Sequence, residues 1–417
     1  MRLHNRWAGR GAAVLAAGAL LATFGLSGTS SASSPLGAPP KATGTPLVVA
    51  MIDLIGAPVS FPEAEQGAQA AIAYVNGYLD GINNHPIVLK ECSNTTLAAP
   101  ASATCANELV ADNPTLVLGA ADTGAAGAFP IWQAHHLAYV GGSSFTPVES
   151  NATNSVIFTS LALSDNAAPL AFAAHTLHIK SVAIIEANDT QGLASGAVIE
   201  NVANTLEMTH TQVPLSDTAS TSDFAAAAAQ AESSNPGLIY VEAPSECVQT
   251  VLALKQTGYA GKLAGVGPCA APPAIAAMGA AANGFFFGSP QVGFDQSHTK
   301  QWGQEIAITE AALAKYAPKN IALDAPALDD FGAVMNLRTT LDAIKGKLTE
   351  KSIIGAFEKG SNHPNWLAHP YTCNRKQVPT QASVCNPYEQ LFQVNNGAVA
   401  TLTTKWVNGA QYYKPTG

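Results

Sequence analysis

From residue 46 onward, short apolar runs alternate with stretches of helical period, and this alternation restricts the fold more than any single motif does. PLVVAMID, PIVLKE, TLVLG and LAYVGG form one series; KSVAIIEA, GLIYVEA and KLAGVG form a second, which begins after about Phe158. The runs are continuously apolar, the pattern of parallel strands covered on both faces. Helices are expected between them over 62–79, 125–133, 192–206, 224–233 and 247–257. The first carries Ala64, Ala68, Ile72, Val75 and Leu79 on one stripe. Two such series imply an α/β chain with two doubly wound parallel-sheet lobes. The length, 417 residues, exceeds what one core supports, which agrees. Within the first series, LDGINNHP reads as the helix-to-strand return of a βαβ unit. Gly81, Asn83 and Asn84 suit a tight turn there, and Pro86 opens a strand.

The N-terminal segment stands apart. MRLHNRWAGRG holds three arginines and no acid, AAVLAAGALLATFGL is apolar, and Ser30-Ser31-Ala32 offers a small-residue cleavage site. Residues 1–32 therefore read as a secretory signal peptide, followed by a flexible Ser/Pro/Gly-rich leader over 33–45. The expected location is extracytoplasmic: secreted, periplasmic or held in the cell envelope. The first cysteine is Cys92, so no cysteine at the cleavage site can take a lipid. Without Arg2, Arg6 and Arg10 the chain keeps 17 Lys and Arg against 29 Asp and Glu, a net charge near −12. An acidic surface without basic clusters disfavours nucleic acid and anionic membrane surfaces as partners. Six cysteines in an exported chain point to disulfides. Sequence leaves their connectivity open, and proximity alone suggests Cys92 with Cys105, Cys247 with Cys269, and Cys373 with Cys385. Zinc is the competing reading, but there is no CxxC and no paired HxxxH.

The ordered set LIGAPVSFPEAEQGAQAAIAYVN, LDGINNHPIVLKECSN, TLVLG, AFPIWQAHHLAYVGGSSFTPVE, EANDTQGLAS and YTCNRK…VCNPYEQLFQVNNG resembles type I periplasmic binding proteins. The nearest branch is the Leu/Ile/Val-binding, or branched-chain amino acid ABC transporter, family. The resemblance runs from about residue 46 to the C-terminus. It implies two lobes joined by three crossing segments and closing on a small ligand. The first lobe would hold 46–160 plus about 270–370, the second 161–269 plus about 371–417.

The resemblance also implies a ligand set. Thr123 falls where the family places a hydroxyl on the ligand carboxylate, although an ordinary helix cap would use the same residue. Asp122 beside it would oppose a carboxylate. Ser143 and Ser144 follow LAYVGG, where the family offers backbone and hydroxyl groups. Phe145 stands where a threonine is usual, with Ser144 or Thr146 as replacements. Glu246 matches the acid that pairs the ligand ammonium, and Glu242 is the alternative acid. Gln191 takes the place of a covering tyrosine, which implies a ligand more polar than leucine. Phe61 sits where an aromatic packs on the ligand, or serves as helix-entry packing.

His135-His136 reads as a helix end, since adjacent residues on a helix cannot chelate together. GxSxG, HExxH and GxxxxGK[ST] are all missing from the sequence, so no nucleophile, metal or phosphate motif calls for an enzyme or a cofactor. The expectation is a non-enzymatic receptor that captures an amino acid or related amide or acid for an ABC permease. A ligand-sensing module and a secreted hydrolase are the alternatives.

Overall fold

The computed structural model describes residues 35–37, 41–56, 60–159, 161–216, 218–321 and 325–414. The expected signal peptide lies outside them. In the first sheet, β1 (Leu47–Leu54), β2 (Ile87–Asn94), β3 (Leu116–Gly119), β4 (Tyr139–Gly141) and β5 (Ser155–Ile157) are parallel, in the order β2-β1-β3-β4-β5. Between them run α1 (Pro62–Tyr78), α2 (Ala99–Val110), α3 (Ala125–Ala134) and α4 (Pro147–Asn151). Pro62 supplies the fixed φ of a first helical turn, and Glu63 and Glu65 face its unpaired amides. The stripe Ala64, Ala68, Ile72 and Val75 is buried as its spacing requires. The turn before β2 holds Asp80, Gly81, Asn83 and Asn84 at φ of 63°, 66°, 50° and 67°. These residue types accept that left-handed backbone at low cost.

The second sheet begins after α5 (Leu161–His175) with β6 (Ser181–Ala187), β7 (Thr209–Leu215), β8 (Leu238–Glu242), β9 (Lys262–Gly265) and β10 (Phe286–Ser289). Two late strands, β11 (Tyr388–Asn395) and β12 (Ala398–Asn408), complete the order β12-β11-β10-β9-β8-β6-β7. β6 to β10 are parallel, and β11 and β12 are antiparallel additions at one edge. The connecting helices are α6 (Thr190–Thr205), α7 (Thr221–Glu232), α8 (Cys247–Thr257) and α9 (Pro272–Met278). α10 (Gly303–Tyr316), α11 (Ala325–Leu341) and α12 (Glu350–Glu358) return to the first core, where Ile308, Phe331 and Phe357 pack with Met51 and Val140.

Four sequence expectations change. The stretch from 270 to 289 stays with the second lobe, because Phe286 pairs with Ala264 of β9 and with Gln393 of β11. The segment holding Tyr371, Cys373 and Cys385 packs in the first core. The end of the leader is not loose: Asn84 accepts from the Thr43 amide at 3.0 Å, and Leu36 is buried. Cys92–Cys105 and Cys373–Cys385 are bonded as expected, with Cα–Cα distances of 5.5 and 4.4 Å. Cys247 and Cys269 are instead free, buried thiols. The Cys247 Sγ donates to the Pro244 carbonyl at 3.1 Å, and burial with Cys247 close by holds the Cys269 thiol protonated. Among the described residues no helix is long and apolar enough to cross a membrane.

Candidate functional site

Each sheet has a point where its strand order reverses: between β1 and β3 in the first, between β6 and β8 in the second. Connections leave in opposite directions there and open a crevice at the carboxyl ends of the strands.

At the first crevice β1 delivers Asp53, which accepts from the Leu54 amide at 2.8 Å and the Glu65 amide at 3.3 Å. Burial nonetheless pushes its carboxyl up to about 8. Asp122 follows β3 and is turned inward: it accepts from the Ser102 hydroxyl at 2.6 Å, the Asn94 amide at 3.0 Å and the Gly124 amide at 2.9 Å. Gly124, not Thr123, is the residue capping α3, and the Thr123 hydroxyl donates to the Leu97 carbonyl at 3.3 Å. Ser143 and Ser144 are buried after β4, with the Ser150 hydroxyl donating to Ser144 at 2.8 Å. Glu149 shapes this loop. It accepts from the Tyr139 hydroxyl at 2.8 Å and the Phe145 amide at 2.8 Å, and it takes the Thr146 hydroxyl at 2.9 Å. Thr146 is thereby committed to capping α4. Phe61 and Phe145, from the ends of β1 and β4, meet with ring centroids 5.9 Å apart and stay half-buried. Asp329 and Asp330 of α11 lie against this lip, since a Cβ on Gly142 would meet the Asp329 backbone at 2.7 Å. Burial, then Asp53 and Asp329, hold the Asp330 carboxyl well above the usual range.

At the second crevice Glu246 is buried at the N-cap position of α8, and its side chain makes no capping hydrogen bond there. Gln191 opens α6, its side chain outside the described residues. Two further acids come in from the strands. Glu186 of β6 and Glu242 of β8 are register partners, so their side chains share a face. Sequence offers Glu242 only as an alternative acid and does not single out Glu186. Its signal, a glutamate in the apolar run KSVAIIEA, is faint until register shows its partner. The structure thus gathers Phe61, Thr123, Ser143 and Ser144 around the first crevice and Glu246 at the second. His135 ends α3 as expected, and His136 is exposed 3.6 Å from Glu350.

A cavity of about 640 Å³ lies elsewhere, between α9, β10 and the β11–β12 hairpin, over the stacked rings of Phe287 and Phe392. Two of its polar side chains are engaged: Asp295 accepts from Thr401, and Gln291 binds Ser289 and Asp329. Its lining is mainly apolar. No group of three or more metal-ligating side chains gathers among the described residues.

A family model described as "Periplasmic binding protein" matches residues 51–381. The chain belongs to the periplasmic binding protein family. Its two lobes are those of the type I binding proteins, as solved structures bear out. The leucine-binding protein LivK of Thermotoga maritima superposes with a TM-score of 0.70 at 17% identity, covering 87% of this chain and 99% of its own. A Rhodopseudomonas palustris solute-binding protein in complex with 4-hydroxybenzoate gives 0.71 at 15% identity, covering 88% and 98%. LivJ of Streptococcus pneumoniae, in complex with isoleucine, gives 0.69 at 16% identity, covering 85% and 98%. No match to the chain is found among curated proteins. The binding-protein family is one of solute capture rather than catalysis.

Proposed function

We propose that this binding protein captures a small, amine-bearing polar solute between its two lobes outside the cytoplasm and delivers it to an ABC importer. The observation that carries the reading is the placement of buried polar groups at both strand-order reversals of a binding-protein fold. Ser143 and Ser144 on one side and Glu246 on the other offer hydroxyl and carboxylate groups to a zwitterion. Each lobe supplies half the contacts, so binding couples to closure. Micromolar affinity requires about −8 kcal/mol, within reach of one paired ammonium, a few hydrogen bonds and modest apolar burial.

A second reading, an aromatic acid, rests on the half-buried Phe61–Phe145 pair, a ring platform at the first lip. A thermal-shift panel of amino acids, diamines and aromatic acids tests both. A true ligand at a hundred times its dissociation constant stabilises the fold by about 2.7 kcal/mol. Silence across the panel would remove the solute-capture reading. Uptake of the best hit into cells with and without this protein and an ABC permease then tests delivery.

A further inference from the structure

Glu186 and Glu242 end neighbouring strands at the reversal of the second sheet, as direct register partners. They are 3% and 7% exposed. On each, Oε2 has no hydrogen-bond partner. Neither forms an ion pair among the described residues. The face they share lies under α5 and α6. The Tyr240 hydroxyl on that face donates to Asn166 of α5 at 2.7 Å, and Ser195 of α6 bonds to Glu242. Gly196 leaves the space Glu186 needs, because a Cβ there would run into its Oε2.

Two buried carboxylates side by side repel one another and have lost water. Buried acids are ordinarily paired, and an unpartnered one asks for an explanation. Among the described residues none supplies the counter-charge. Between Lys90 and Lys255 the sequence contains fifteen Asp and Glu and one basic Lys or Arg, Lys180. Lys180 is exposed and directly precedes β6, at the end opposite Glu186. The other lip is acidic as well, with Asp53, Asp329 and Asp330 buried behind Ser143. A cation from solution can supply that charge, and the pair stands where this fold receives solutes.

We infer that Glu186 and Glu242 form a cation subsite for a second positively charged group of the solute, so that the protein selects basic amino acids or diamines over neutral amino acids and aromatic acids. This deepens the solute-capture reading and rests on it. One ammonium meets Glu246. The second amine or guanidinium meets the strand-end pair and takes the two unpartnered oxygens. Asn188 and Asp189, just beyond β6, are exposed at the rim.

Calorimetric titration of the exported chain with L-lysine, L-arginine, putrescine, L-leucine and 4-hydroxybenzoate tests this. The cationic compounds should bind most tightly. Glu186→Gln and Glu242→Gln should each weaken them at least about tenfold while leaving any leucine affinity within about twofold. Neither substitution removes a hydrogen-bonded ion pair, so melting temperatures should hold or rise, which separates lost binding from lost folding. Gly196→Ala, which displaces the Glu186 carboxylate, should weaken the same compounds. Binding of leucine or 4-hydroxybenzoate with the cations silent overturns the subsite and leaves solute capture standing. Unchanged cation affinity in both Gln variants overturns it as well. So do silent cations together with a pH dependence of melting that flattens in Glu242→Gln, which would mean the pair holds a proton only. Silence of every compound overturns both readings.

Discussion

Cys247 opens α8 and Cys269 lies in the turn after β9, each less than 2% exposed, in a chain whose other four cysteines are bonded. Burial, then the neighbouring Cys247, pushes the Cys269 thiol well above its ordinary value, and reagent has no access to either buried sulfur. Thiol reagent added to native, non-reduced protein should therefore label nothing, and after unfolding it should label two sulfurs per chain. No label after unfolding would mean that a third bond closes. Glu149 is a firmer structural residue. It gathers the Tyr139 hydroxyl and the Phe145 amide in a fully buried position, and burial pushes its own carboxyl up to about 8. Glu149→Ala strands those donors and should cost about 3 kcal/mol or more in denaturant unfolding. Glu149→Gln, which can still accept, should cost less. At this scale sequence speaks where a residue type fixes its own backbone. Asp80, Gly81, Asn83 and Asn84 announce their turn because they tolerate positive φ. It is silent where meaning depends on a distant partner, as with Glu186 and Glu242, fifty-six positions apart yet on adjacent strands.

Among the elements, α1 against α11 is the tightest test of packing. Gly67 faces α11 so closely that a Cβ would strike the Ala327 carbonyl. Gly67→Ala should destabilise by about 2 kcal/mol, since a backbone contact cannot rotate away as a side chain can. Gly355 of α12 has open space around it and provides the control. Its change to Ala should be neutral or gain a few tenths of a kcal/mol, up to about 1, from helix propensity. A gain in both would mean that backbone entropy rather than the Ala327 contact sets the effect. The strands of both parallel sheets were legible because a strand buried on both faces must be continuously apolar. The edge of the second sheet was not. β10 has the same apolar character whichever core takes it, and only its pairing with β9 and β11 assigns it.

For the molecule as a whole, the acids near the crevices set how stability varies with pH. Burial raises Asp53 from 3.8, and Glu149 and Glu242 from 4.5, each to about 8. The folded chain therefore keeps protons that the unfolded chain has released. Their contribution is fully present below the unfolded values and is lost as pH rises through the folded ones, so stability should fall between about pH 4.5 and pH 8. The slope is about 1.4 kcal/mol per pH unit for each proton retained. His369, lowered by burial, works the other way below its ordinary 6.5, but it is a single group. Urea midpoints in the absence of solute should be higher at pH 5 than at pH 8. Glu242→Gln should make the difference smaller, because the amide has no proton to release. A basic solute reverses the balance at the crevice: it favours the ionised pair and expels protons as it binds. Its binding heat should then change with the ionisation enthalpy of the buffer near pH 7, and that dependence should shrink in Glu242→Gln.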